Sequence, residues 1–249
     1  MITQQQAKDL ASYYQIDEFT IFREYLQLVL LSYLYRQPKA NKVYFKGGTA
    51  IHLLFGSPRF SEDLDFSTPY SKKQTKEVIK QVKKEITQEL VGAKIYILYE
   101  GKKSIRFRLK YESPNFKYPF VIRIDFNERQ KPQKAVNSPL VTKFPLVFPV
   151  VSHLSDQEIL AEKIRALLTR GKGRDVFDLW FLLAKGVKID QSLARKKLKE
   201  VDKEFSREIL VRKVKVFPLK RLQKDLGKFL PHQQREIIKD LRERLVELI

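Results

Sequence analysis

Two hydrophobic periods run along this chain, and the places where one gives way to the other divide it. Residues 4–36 carry apolar side chains at Leu10, Tyr14, Phe19, Phe22, Leu26, Val29 and Tyr33, the recurrence of a docking helix or helix pair. Pro38 and the polar run to Lys42 break that pattern. Residues 43–46 then predict a short strand ending at Gly47-Gly48, residues 49–55 a short helix closed by Gly56, Ser57 and Pro58, and residues 62–67 a second strand. Over residues 71–91 the apolar positions Val78, Val82, Ile86 and Leu90 have the spacing of an amphipathic helix, which should lie across a sheet.

Three β-like runs follow at 94–99, 104–111 and 119–127, separated by Gly101 and by a Ser113-Pro114-Asn115 turn. Residues 130–149 hold four prolines, three lysines and no acidic residue, and read as an extended basic connector. Beyond Ser155 the pattern is helical, with breaks near Gly171-Lys172-Gly173, Gly186, Pro218 and Pro231. No internal repeat is visible. The order predicts an α+β fold: an N-terminal helical segment (1–40), a mixed β-sheet core with helices (41–150) and an all-helical C-terminal domain (151–249).

Composition changes this picture in two ways. Lysine and arginine number 49 against 29 acidic residues, a formal net charge of +20 that favours polyanionic partners such as nucleic acid or nucleotides. The absence of cysteine removes disulfides, thiolate metal sites and cysteine nucleophiles. His52, His153 and His232 are far apart in sequence, which argues against a histidine-rich metal site. Residues 1–9 lack the apolar centre of a signal peptide, and the greasiest stretch, 28–35, is too short to span a bilayer, so the expected location is the cytoplasm, without a membrane partner.

Candidate chemistry concentrates in Lys46-Gly47-Gly48-Thr49-Ala50 and Arg59-Phe60-Ser61-Glu62-Asp63-Leu64-Asp65-Phe66. On a strand, Asp63 and Asp65 would share one face while Leu64 and Phe66 face the core. Two carboxylates held that close call for a cation between them or for screening by solvent, and hard oxygen ligands suit Mg²⁺. The glycine pair would let backbone approach a phosphate, with N–H groups of the following helix aimed at the anion. In residues 120–126 the apolar face leaves Val121, Arg123 and Asp125 on the other side. Asp125 completes a three-carboxylate site if its strand lies beside that of Asp63, and would then hold a second ion or take the proton of an attacking hydroxyl. An Arg123–Asp125 pair on an exposed sheet face is the competing possibility.

Ser155-Asp156-Gln157-Glu158 has the form of a capping box, so a helix should begin there. Lys163 falls inside its apolar stripe and must snorkel, pair with an acid or line an anion-binding cleft; the cleft, with a nucleotide phosphate, is the expectation. Asp175 suits the positive N-terminus of the next helix. Asp178, a turn further on, is expected to orient Lys163 or Arg174.

Lys-Gly-Gly-Thr-Ala, then Arg-Phe-Ser-Glu-Asp-Leu-Asp-Phe, then Glu-Lys-Ile-Arg-Ala-Leu-Leu with Arg-Asp-Val-Phe-Asp-Leu-Trp, together resemble the AbiEii toxin family of nucleotidyltransferases, within the DNA polymerase β-like superfamily. The resemblance covers the core and the helices to about residue 185. It implies the toxin of a type IV toxin–antitoxin or phage abortive-infection system, with a cognate antitoxin protein as partner. Such proteins transfer a nucleoside monophosphate from an NTP, in some cases to the 3′ end of tRNA, and an RNA acceptor suits the +20 charge. By resemblance Gly48 and Thr49 fall to the nucleotide-binding motif, Asp63 and Asp65 to Mg²⁺, and Lys163, Asp175 and Asp178 to a helical motif; Gly47 and Ser61, beside these motifs, and the three helical residues are counted with the candidate nucleotide-binding residues. The alternative is a nucleic-acid-binding protein on the same scaffold that has lost turnover.

Overall fold

A computed structural model describes residues 1–114, 116–128, 132, 135–140, 142–144 and 149–249. The chain forms two units, residues 1–56 with 60–154, and residues 57–59 with 155–249.

The first unit opens with helices α1 (Gln4–Tyr14) and α2 (Glu18–Arg36). Thr3 caps α1 reciprocally with Gln6, and Asp17 caps α2 by accepting from the Thr20 amide. Leu28, Val29, Leu30 and Leu31 are all buried, so α2 is covered on every side; it packs against α4 (Lys72–Glu89) and against strands β5 (Phe120–Glu128) and β7 (Val150–Leu154). The N-terminal helices therefore belong to the same unit as the sheet.

The remaining strands are β1 (Tyr44–Lys46), β2 (Leu64–Thr68), β3 (Lys94–Glu100), β4 (Ser104–Tyr111) and β6 (Ala135–Pro139), with α3 (Gly47–Phe55) between β1 and β2. The sheet runs in the order β3-β4-β5-β2-β1-β7-β6, mixing parallel pairs (β2 with β5, β1 with β7) and antiparallel ones. Phe45, Phe66, Phe126 and Ile105 are partners across four strands and supply one buried row, and Leu64, Ile124 and Phe107 supply the next. The Phe66 and Phe126 rings stack 5.0 Å apart, consistent with the close-packed inner face.

Two features differ from the sequence expectation. The segment expected as a connector contains β6, which pairs antiparallel with β7 and satisfies its backbone there; residues 129–131, 133–134, 141 and 145–148 of that region lie outside the described residues. Strand β2 begins at Leu64, so Asp63 precedes it.

The second unit is helical: α5 (Asp156–Thr169), α6 (Gly173–Ala184), α7 (Gln191–Lys199), α8 (Arg207–Lys215), α9 (Leu219–Leu226) and α10 (Leu241–Leu248), with a 3-10 turn at His232–Ile238. Ser155 caps α5 through the Glu158 amide. Val176, Phe177, Leu179 and Leu182 bury α6 against α5, α9 and α10. Its first residue must be small: a Cβ on Gly173 would lie 3.2 Å from Leu222 Cα, and the Gly173 amide donates to Asp225 at 2.7 Å.

Candidate active site

The turn from β1 into α3 and the start of β2 are built against each other. Gly47 has φ +83°, and a Cβ there would lie 2.3 Å from Asp65 Oδ2, so glycine is required by both conformation and space. Lys46, at the N-cap position of α3, makes no side-chain cap and the first turn holds no acidic residue, while the Asp65 carboxylate of β2 lies against Gly47 at the positive end of the helix. Thr49, fully buried, donates its hydroxyl to the Asp63 carbonyl and fixes the entry into β2.

Asp65 and Asp125 are register partners on neighbouring parallel strands, so both carboxylates stand on the same face of the sheet, with Leu64, Phe66, Ile124 and Phe126 buried behind them. The β2–β5 adjacency required to bring Asp125 near the carboxylate pair is thus present. Asp63 lies outside the strand, and its carboxylate is gripped in bidentate fashion by Arg123, with Nε–Oδ1 2.8 Å and Nη2–Oδ2 2.6 Å. Arg106 of β4, the partner of Asp125 in the antiparallel register, forms an ion pair with that carboxylate. The Arg123–Asp125 pairing considered from sequence is replaced by these two pairs, because Arg123 reaches toward Asp63 while Arg106 lies directly beside Asp125. The hydrogen bonds to Asp63 raise the Arg123 pKa, against a smaller opposing effect of burial.

Among the described residues, no group of three His, Cys, Asp or Glu side chains is gathered as a metal-binding set. Asp63, Asp65 and Asp125 nonetheless have the donor chemistry that suits Mg²⁺: hard carboxylate oxygens, two of them on adjacent strands, with guanidinium groups now balancing the charge.

Helix α2 holds the approach to β2. Gln27 donates to the Ser61 carbonyl at 3.0 Å, and Arg23 pairs with Glu62 at 3.2 Å. Between them Glu24 is buried, with Lys143 Nζ 2.7 Å and His52 Nε2 3.5 Å from its Oε2. Burial pushes the Glu24 carboxyl up, and its contacts to His52 and Lys143 outweigh that and lower it. Burial pushes the Lys143 ammonium down, partly opposed by Glu24. Lys143 also sits 4.1 Å from the Tyr14 ring centroid and 4.8 Å from that of Phe60. His52 is therefore a polar contact inside this cluster.

In the second unit, Lys163 is buried and paired, with Nζ 2.6 Å from Asp178 and 3.8 Å from Asp175. Asp178 also receives both arms of Arg59, at 2.7 and 2.9 Å, while Asp175 receives Arg170 at 3.0 and 2.8 Å. The expected open cleft is thus replaced by a chain of ion pairs: a lysine on an apolar stripe found acids on the facing helix. Asp178 pairs with Lys163 and has Arg59, not Arg174, as its second cation; Arg174 lies over the Phe229 ring, 5.0 Å from its centroid. Burial pushes the Asp178 carboxyl up, and Arg59 and Lys163 outweigh it, holding it at about 2. Arg59, only 2% exposed, was visible in the sequence motif without a role; its side chain gives no periodic signal because it lies in a loop.

The mixed sheet, with a glycine turn feeding a helix beside in-register carboxylates, has the fold of a nucleotidyltransferase. The chain belongs to the nucleotidyl transferase AbiEii toxin family of type IV toxin–antitoxin systems, whose profile matches residues 29–246. It is similar in fold to MenT4, a nucleotidyltransferase toxin of Mycobacterium tuberculosis (TM-score 0.68, 21% identity, 100% of this chain and 90% of that one). JHP933 of Helicobacter pylori is similar as well (TM-score 0.59, 20% identity, 94% and 91% covered). In sequence, an uncharacterized protein of Aquifex aeolicus is 28% identical over 169 residues, 65% of this chain and 69% of that protein. Among the described residues no helix is long and apolar enough to cross a membrane.

Proposed function

We propose that this nucleotidyltransferase moves a nucleoside monophosphate from an NTP to a hydroxyl of an RNA acceptor, breaking the α–β phosphoanhydride and releasing pyrophosphate, with tRNA 3′ ends as the favoured class, in a reaction that depends on Mg²⁺. The observation that carries the reading is the Gly47–Asp65 contact, which sets the N-terminus of α3 beside a carboxylate that has Asp125 as its register partner. Amides of Gly48 and Thr49 would receive phosphate oxygens at the positive end of α3. Ser61, held through its carbonyl by Gln27, would contribute to the same nucleotide pocket. Asp63, Asp65 and Asp125 would hold Mg²⁺, which when bound neutralises charge on the transferring phosphoryl group. Asp125 is also the group on hand to accept the proton of the attacking hydroxyl.

As the toxin of a pair, the protein would have a cognate antitoxin as its protein partner, acting in the cytoplasm, and growth arrest during phage infection is the role this reading assigns. Incubation with each α-labelled NTP, Mg²⁺ and total RNA should label RNA with wild-type protein and fail with Asp65→Asn, whose side chain is nearly isosteric. Equal labelling by both proteins would sink the reading.

A further inference from the structure

One face of the sheet carries a second pattern beside the carboxylates. Across five strands, Tyr99, Arg106, Asp125, Asp65 and Lys46 are successive register partners, so a single row joins the glycine turn to the edge strand β3. The adjacent row is Tyr96, Arg108 and Arg123, and Arg123 ends on Asp63. From Asp65 to Tyr99 is three strand spacings, about 14 Å.

The position of Tyr99 in this row depends on a break in alternation. Ile95 faces the buried side opposite Leu109, and regular alternation would send Tyr99 the same way. A register shift between Ile97 and Tyr99 instead pairs Tyr99 with Arg106, and turns Glu100 toward Lys72 and Lys76 of α4 on the opposite face. The Tyr99 ring lies against the hairpin at Gly101, where a Cβ would come within 2.7 Å of its hydroxyl and 2.8 Å of its ring edge. The ring is thereby held in place, yet the residue remains 56% exposed, and Tyr96 is 41% exposed. Arg108 lies over Tyr96, 5.9 Å from the ring centroid, and its Nε is buried without a hydrogen-bond partner among the described residues.

We infer that this face, from Tyr99 and Tyr96 through Arg106, Arg108 and Arg123, is the track on which a single-stranded RNA acceptor lies so that its terminal hydroxyl reaches Asp65 and Asp125. Exposed rings offer stacking platforms to unpaired bases, and the interleaved guanidinium groups offer charge to the phosphates between them. A duplex would present no unstacked bases to these rings. The inference rests on the proposed RNA acceptor, and adds the surface that receives it.

The test is fluorescence anisotropy of a labelled single-stranded oligoribonucleotide with the full chain, beside direct titration of NTP. Tyr96→Ala and Tyr99→Ala should each weaken RNA binding about tenfold, by loss of one stacked base, while the Phe variants retain it. Gly101→Ala should weaken it by displacing the Tyr99 ring, and Arg108→Gln should lower the salt dependence by roughly 0.7 in slope. NTP binding should be unchanged in all of these. If the tyrosine variants bind RNA as the wild type does, while labelling still requires Asp65, the track is wrong and the enzymatic reading stands. If the wild type binds no RNA but labels a protein or small molecule, the RNA acceptor and the track fall together.

Discussion

Gly47 and Asp65 occupy adjoining space so closely that only a residue without a side chain permits the carboxylate its position: an added Cβ would lie 2.3 Å from Oδ2 and 2.9 Å from the Asp65 Cβ. The contact couples the phosphate-facing turn to the acidic strand, because any movement of one displaces the other. With φ at +83°, the same residue also holds a conformation that L side chains rarely adopt.

Gly47→Ala should therefore damage the site in two ways. The backbone strain costs on the order of 1–2 kcal/mol, visible as a lower Tm. Displacement of Asp65 by about 1 Å should lower nucleotidyl transfer about 100-fold. Gly56→Ala is the control: its φ is +74°, but none of the described residues lies within 4 Å of its Cβ, so it should show the strain without the loss of activity. Equal activity losses in the two variants would show that strain, and not the Asp65 contact, explains the effect.

Arg123 occupies the Asp63 carboxylate with both arms and must be displaced or shared when a divalent cation binds there. Arg123→Gln should tighten Mn²⁺ binding about tenfold, as one charge-assisted pair of roughly 1–2 kcal/mol at a partly exposed site no longer competes. The measurement is Mn²⁺ titration by electron paramagnetic resonance, without NTP or turnover. Unchanged or weaker Mn²⁺ binding would mean that Arg123 does not compete for the metal carboxylates.

How much of this was legible beforehand depended on whether a residue obeys a period. Helix α4, with Val78, Val82 and Ile86 at helical spacing, and β5, with strict alternation from Phe120 to Phe126, announce their buried faces. The Asp125 position followed from that alternation, and the β2–β5 neighbour relation came only with the sheet order. Strand β6, Ala-Val-Asn-Ser-Pro, was hidden by its shortness and by the prolines and lysines of the surrounding segment, since an edge strand needs no apolar alternation. Tyr99 could not be placed by alternation at all, because the register shift before it reverses the phase. The partners of Asp63 and Asp178 were likewise invisible: Arg123 and Arg59 lie 60 and 119 residues away, and nothing local encodes such contacts.

Acid sensitivity of the helical unit should centre on Asp178. Its carboxyl is held at about 2 in the fold, below the roughly 3.9 expected when unfolded, so its stabilisation is fully present above the unfolded value. That contribution, about 2 kcal/mol, is lost as pH falls through the window from about 5 to about 2. Asp178→Asn removes this titration but leaves Lys163 and Arg59 buried against a neutral amide, at a cost of about 3–5 kcal/mol near neutral pH. Thermal unfolding followed from pH 7 to pH 3 should show a shallower decline for the variant than for the wild type. Parallel declines would assign the acid sensitivity to other carboxylates.

Glu24 and Lys143 pose the corresponding question for the sheet unit. Lys143→Met would leave the Glu24 carboxylate buried beside His52 alone, and a broken buried pair costs about 3–5 kcal/mol. For a unit of this size that corresponds to a Tm fall on the order of 10 °C. Glu24→Gln with Lys143→Met removes both charges while keeping the side-chain volumes, and should recover most of the loss, since Met can occupy the space among Tyr14, Phe60 and Phe144. Because Glu24 lies between Arg23 and Gln27, which hold Glu62 and Ser61, the single variant should also raise the KM for NTP by loosening that loop, and the double variant should restore it. Calorimetry and steady-state kinetics on the two variants read these effects separately: a double variant less stable than the single one would show that the pair contributes more than the desolvation it incurs.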